Sequence, residues 1–282
     1  MPMPARLHVD LILAPGAELA LPPNASRHVQ VLRLQPGAQI TLFDGRSGQW
    51  QAEVLEMGRK TVSARVLAHQ PVDCELACPV TLAPGMPANE RMDALVEKAT
   101  ELGVAMIAPL VCERSVLRVA GDRAERKAAH WQAIAVAACE QSGRNRVPLV
   151  APPRTLRDWL ADLPPPRPPE LRLLLSLSPD AAPLARLLMD RPQTAAHNAV
   201  HNAAVTVLSG PEGGLSPAEI ALAESLGFVP VSLGDRVLRA DTAPLAALAV
   251  IAALSALSAV PSAPSAAGST RPPAQPAPDR MP

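Results

Sequence analysis

Two stretches hold most of the residues in this chain whose types and spacing could do chemistry. In the first, Leu208-Ser209-Gly210-Pro211-Glu212-Gly213-Gly214-Leu215-Ser216, one carboxylate sits inside a glycine-rich turn. The second, Leu233-Gly234-Asp235-Arg236-Val237-Leu238-Arg239-Ala240-Asp241-Thr242, is an arginine-rich turn that closes on a carboxylate. Glycines permit backbone angles that other residues avoid, and they let a ligand approach the main chain closely. A phosphate loop would need Lys-Ser or Lys-Thr after its last glycine, and a dinucleotide fingerprint would need G-x-G-x-x-G; the first turn has neither. Pro211 removes an amide donor, and Glu212 puts negative charge where a pyrophosphate would sit. The turn therefore suits a neutral or cationic adenosine-bearing ligand. Arg236 and Arg239 offer positive charge to an anionic group. Asp241 offers a proton acceptor or, in the plainer reading, a carboxylate at a helix N-terminus.

The elements around these turns must hold them in place. Ala204–Leu208 is a β-branched apolar run and reads as a buried strand. Ser216-Pro217-Ala218-Glu219 reads as a capping box that opens a helix running to about Leu226, with Gly227 as its stop. Phe228–Leu233 is the next strand, and Thr242 or Asp241 opens a long apolar helix from Ala243 to about Ser258. Both turns thus lie at carboxyl ends of strands in an α/β unit, where such sheets bind ligands. Upstream, strand Val80–Ala83, helix Glu90–Leu102, strand Val104–Val111, helix Arg123–Ser142 and strand Leu171–Leu177 extend the unit. From Arg6 to Gln70, short alternating runs read as strands of a small barrel. The expected division is a barrel over residues 1–70, a linker over 71–78, an α/β domain over 79–260 and a disordered Pro/Ala/Ser tail over 261–282.

Together these motifs resemble the RsmE family of SPOUT methyltransferases. The resemblance rests on the paired L-S-G-P-E-G-G-L-S and L-G-D-R-V-L-R-A-D-T-A stretches and on three further segments in the same order: Ser26–Arg33 with Leu42–Gly45, Glu90–Val104 continuing to Ser115, and Trp131–Pro148. Asp241 stands where the family usually has Glu, and Pro87-Ala88-Asn89 replaces the lysine often found before the Glu90 helix. The resemblance implies a C-terminal SPOUT α/β domain with a deep trefoil knot, preceded by a PUA-like β-barrel. It implies a homodimer that uses S-adenosyl-L-methionine to methylate N3 of a uridine in the decoding region of 16S rRNA within the small ribosomal subunit. Cofactor contacts then fall on Leu208, Gly210, Pro211, Glu212, Gly213, Gly214, Leu233, Gly234, Val237, Leu238, Arg239 and Thr242. Arg236, Arg239 and Asp241 become the catalytic candidates. Arg27, His28 and Arg33 on the barrel, with Arg114, Glu140, Gln141, Arg144 and Arg146, become the RNA-contact candidates. The alternatives are a SPOUT enzyme acting on another RNA or atom, and an assembly factor that transfers no methyl group.

Composition is consistent with this. Equal numbers of basic and acidic residues, 26 each, exclude a global basic field, so any RNA surface is a local patch. An aromatic content of 2% with no tyrosine argues against base-stacking platforms. Cys74, Cys78, Cys112 and Cys139 are scattered as reduced thiols of a cytoplasmic protein would be, and no second Cys/His pair has zinc spacing, so no metal is expected. The start of the chain lacks the apolar core of a signal peptide. Ala243–Val260, broken by Pro244, Ser255 and Ser258, reads as a buried helix rather than a membrane span.

Overall fold

The computed structural model describes residues 4–46, 48–88, 90–190 and 204–258; the tail expected to be disordered, residues 261–282, lies outside them. The N-terminal part is a five-stranded mixed sheet of β1 (Ala5–His8), β2 (Glu18–Ala20), β3 (Gln39–Phe43), β4 (Gln49–Met57) and β5 (Val62–Gln70), in the order β1-β3-β4-β5-β2. Alternation makes its core: Ala52 and Val54 of β4 and Val62, Ala64 and Val66 of β5 point inward with Leu7, Ile40 and Leu42. Helix α1 (Pro23–Val31) packs on this core through Ala25 and Val29. The strand-only reading of this region missed α1. Its signal is Pro23 in the first turn, with Ala25 and Val29 one helical turn apart.

The C-terminal part is a seven-stranded, all-parallel sheet. Its strands are β6 (Val80–Pro84), β7 (Met106–Ile107), β9 (Leu149–Val150), β11 (Leu171–Leu175), β12 (Ala182–Pro183), β13 (Val205–Ser209) and β14 (Val229–Ser232), in the order β12-β14-β11-β13-β6-β7-β9. A separate pair joins β8 (Leu110–Val111) to β10 (Arg154–Thr155). The expected single strand Val104–Val111 is therefore split. Pro109 has no N–H for a ladder, and beyond it Leu110 turns to a different partner, Arg154. Helices α2 (Glu90–Glu101), α3 (Asp122–Ser142), α4 (Leu156–Ala161), α5 (Leu184–Met189), α6 (Pro217–Ser225) and α7 (Thr242–Ser258) connect and cover the strands. Leu82, Leu173 and Val207 in the sheet are fully buried together with Leu95, Trp131 and Leu248 from three helices.

From β6 the chain runs outward through β7 to β9, then fills the other side with β11, β13, β14 and β12. Its direction of progress reverses between β6 and β13, and parallel sheets open a ligand crevice at the carboxyl ends of strands at such a reversal.

Candidate active site

Beside that reversal lies a cavity of about 610 Å³ built from the ends of β11, β13 and β14. The β13 loop contributes Gly210, Pro211, Glu212, Gly213 and Gly214, and the β14 loop contributes Leu233, Gly234, Arg236, Val237, Leu238 and Arg239. Of the expected cofactor residues, only Leu208 and Thr242 stay off its wall. Leu208 is fully buried in the sheet, and the Thr242 amide donates to Arg239 O, opening α7.

The shape of the β13 loop depends on its glycines. A Cβ on Gly210 would come 3.0 Å from Leu215 N, and one on Gly213 would come 3.0 Å from Arg114 Cβ. Gly214 adopts a positive φ of 69°. Behind the loop, Gly85 lets the end of β6 approach so closely that a Cβ there would sit 2.5 Å from Pro211 N. Glu212 Oε1 accepts from Ala88 N at 3.1 Å and lies 3.5 Å from Arg91 Nη1, so its carboxylate ties the loop to the start of α2. The capping box forms as the sequence indicates: Ser216 Oγ accepts from Glu219 N, and Glu219 Oε2 accepts from Ser216 N. Glu219 Oε1 also accepts from Glu113 N, joining α6 to the loop after β8.

Arg236 and Arg239 are exposed on the cavity wall, and among the described residues neither has an ion-pair partner. Asp241 follows the last wall residue, Ala240, without lining the cavity itself. Its Oδ1 is buried and lacks a hydrogen-bond partner, as does Ser209 Oγ at the end of β13. Buried polar atoms are normally paired; among the described residues these two and Arg6 Nε, in the N-terminal sheet, are the buried side-chain atoms left without a partner. A second hollow of about 490 Å³ lies between β8, β10 and α6. Its carboxylate Glu219 is spent on backbone amides, and burial pushes the Cys112 thiol up to about 12, so it offers no nucleophile at neutral pH.

The structure brings His28 beside Glu140 at the end of α3, close to Gln141, Arg144 and Arg146, while Arg114 lies apart at the β13 loop. Arg27 is exposed on α1, and Arg33, just beyond it, is exposed with φ of 53°. Arg114 Nη1 donates to Gly213 O at 3.3 Å, at the back of the cofactor loop. Gln141 is exposed at the end of α3. Arg144 is a correction: it is buried, donates to Thr100 O at 2.7 Å and forms an ion pair with Glu75. Its guanidinium is committed within the chain and unavailable to RNA. Arg146 pairs with Asp73, and Glu140 accepts from His8 N while lying 3.4 Å from His28 Nδ1.

Leu174 to Leu177, Arg91, Leu215, Ile220, Val231 and Ala240 also line the cavity. The first group carried a signal, a buried strand ending in Ser176-Leu177-Ser178-Pro179 beside two other strands whose ends were already candidates. Nothing in local spacing aims Arg91 at the cavity. Among the described residues no group of three His, Cys, Asp or Glu side chains could hold a metal, and no helix is long and apolar enough to cross a membrane.

Residues 74–252 match the RNA methyltransferase domain family and residues 21–67 the RNA methyltransferase PUA domain family, so fold and crevice define an RNA methyltransferase with an N-terminal PUA-like domain. The ribosomal RNA small subunit methyltransferase E of Synechocystis is 36% identical over 215 residues, covering 76% of this chain and 66% of that protein. The Buchnera aphidicola (Schizaphis graminum) protein of the same name is 27% identical, covering 86% of this chain and 92% of its own. Among solved structures, a Legionella pneumophila methyltransferase in complex with S-adenosylmethionine superposes with a TM-score of 0.80 at 34% identity, covering 89% of this chain and 98% of its own. The Neisseria gonorrhoeae ribosomal RNA small subunit methyltransferase E bound to S-adenosylmethionine gives 0.78 at 36% identity with the same coverage. The chain belongs to the ribosomal RNA small subunit methyltransferase E family.

Proposed function

We propose that this protein is an S-adenosylmethionine-dependent 16S rRNA methyltransferase acting on N3 of a uridine in the decoding region of the small ribosomal subunit. The observation that carries the reading is the glycine-shaped crevice at the sheet reversal, in a chain whose relatives at 34% and 36% identity were solved with S-adenosylmethionine bound.

The residues present fit that cofactor. Gly210, Gly213 and Gly214 shape a tightly packed loop on the cavity wall, while Leu174, Leu175, Ile220, Val231 and Leu238 give apolar walls for an adenosine. A carboxylate on the wall, Glu212, suits a positively charged ligand better than a polyphosphate. When bound, S-adenosylmethionine supplies a methyl group on a positively charged sulfur. The chain's own residues prepare the acceptor. Uracil N3 must lose its proton to attack. Arg236 and Arg239 stabilise the charge that develops on O2 or O4, or hold the adjoining phosphate, and neither has a carboxylate partner among the described residues to compete for it. Asp241, one residue beyond the cavity wall, accepts the N3 proton through water.

The same reading gives residues 79–260 as a trefoil-knotted domain. The close approach of Gly85 to Pro211 supports it, since it brings together the connections that follow β6 and β13. It also gives a cytoplasmic homodimer; the dimer is supported by Leu177 and Val237, 72% and 77% exposed on the cavity rim, and by Ala253 and Ala256, exposed on an α7 without charged residues. Residues 1–70, 71–78 and 79–260 then act as RNA-binding domain, linker and catalytic domain.

The test is methyl transfer from labelled S-adenosylmethionine to small subunits, free rRNA and tRNA from cells lacking the enzyme, with the nucleosides identified by mass spectrometry. N3-methyluridine in subunit rRNA is the expected result. Label in tRNA or on ribose replaces the substrate, and cofactor binding without any label overturns the activity.

A further inference from the structure

The segment Glu140–Val147, which holds the RNA-contact candidates Glu140, Gln141, Arg144 and Arg146, joins the two halves of the chain. Glu140 Oε1 accepts from the β1 amide of His8 at 2.9 Å. One nitrogen of Arg6, also on β1, donates to Asn145 Oδ1 at 2.7 Å and to Arg144 O at 3.2 Å. Val147 N donates to Gly45 O in the turn between β3 and β4 at 3.2 Å. The same segment grips the linker: Asn145 Nδ2 donates to Val72 O at 2.9 Å, Arg146 pairs with Asp73 and Arg144 with Glu75.

The apolar cores of the two parts are separate clusters, and the bonds that cross between the parts are polar. Interfaces that are not large and hydrophobic leave relative domain motion as the default, so an orientation has to be fixed by bonds at several separate points. Here they reach β1, the β3–β4 turn and the linker from one short stretch, enough to define an orientation.

We propose that Glu140, Arg144, Asn145 and Arg146 are positioning residues for the RNA substrate, holding the PUA-like domain at the angle from which RNA bound to it reaches the cavity. This rests on the methyltransferase reading, and it assigns to domain geometry a motif that the sequence alone points toward direct RNA contact.

The experiment is steady-state methylation of small subunits by the full chain, with S-adenosylmethionine affinity measured separately. Arg6→Met keeps the side-chain stem and removes the guanidinium bonds to Asn145 and Arg144. It raises KM for the subunit about tenfold while kcat and cofactor affinity stay within about twofold, the signature of lost uniform binding. Glu140→Ala behaves likewise, and Glu140→Gln, which keeps an acceptor for His8 N, restores KM. An unchanged KM in both Arg6→Met and Glu140→Ala overturns the proposal. So does a proportional fall of kcat, cofactor affinity and folded fraction, which marks a purely structural role. Should Arg6→Met fail to fold, the Glu140 pair carries the same test. Failure of the wild-type enzyme to methylate, with the cofactor bound, removes the activity reading itself and is read before any variant.

Discussion

The junction between the two parts and the cavity at the sheet reversal are both rich in arginine, yet they treat it in opposite ways. At the junction Arg144 and Arg146 each face a carboxylate, and Arg6, its Nε apart, is bonded through its guanidinium. At the cavity Arg91 pairs with Glu212, but Arg236 and Arg239 of the β14 loop face no carboxylate among the described residues. A buried charge must be satisfied within the chain or it destabilises the fold, whereas a group meant for a ligand must be left free. Charge and residue type do not separate the two roles. Partners do.

Substitutions that cost stability at one place and activity at the other sharpen that contrast. Arg144→Ala leaves Glu75 as a half-desolvated carboxylate and should cost about 3–5 kcal/mol of stability by denaturant unfolding. A loss under about 1 kcal/mol would mean that the junction is no more demanding than a surface pair. Arg236→Ala and Arg239→Ala should each lower kcat by roughly 10²–10³-fold, or about 2.7–4 kcal/mol of transition-state stabilisation, while stability changes by less than about 0.5 kcal/mol. Ser216→Ala removes the cap of α6 beside the cofactor loop and should cost about 1 kcal/mol, with cofactor affinity falling only as far as the loop loosens.

The smallest effect concerns pH. Partial burial pushes the Asp93 carboxyl up, but hydrogen bonds from His130 and Trp131 outweigh it and hold the group below its usual 3.8. A depressed folded value means that its contribution is complete above 3.8 and fades as pH falls through the lower folded value. Asp93→Asn should therefore flatten the acid limb of stability below about pH 4 while changing little in the cavity. An unchanged acid limb would show that this α2–α3 link does not contribute.

Much of the site was legible because its signals are local. Gly210, Gly213 and Gly214, the Ser216–Glu219 box and the arginines of the β14 loop each imply a conformation or a charge over a few residues, and the structure brings their loops to one cavity. What escaped was set at long range. Arg91 reaches the cavity because β6 and β13 are neighbours, which no spacing near residue 91 reveals. The burial of Arg144 depends on Glu75 and Thr100, both far away along the chain. Helix α1 was lost among strands because its nine residues carry a short apolar pattern and no polar side-chain cap. The split at Pro109 was visible as a proline inside a predicted strand, a signal that outranks the apolar run around it.

The pairing of β6 with β13, Val80 beside Val205 and Pro84 beside Ser209, has a consequence for the order of assembly. A chain synthesised from its N-terminus completes the five-stranded sheet early, from contacts within its first quarter. Strand β6 then waits, with one of its hydrogen-bonding edges open, until the chain has grown past Ser209. Closing such distant pairs is entropically slow, and an open apolar edge is an invitation to aggregation in the interval. The N-terminal sheet should therefore fold as an early and independent kinetic phase. The catalytic half should follow in a slower one, more sensitive to protein concentration and to chaperones.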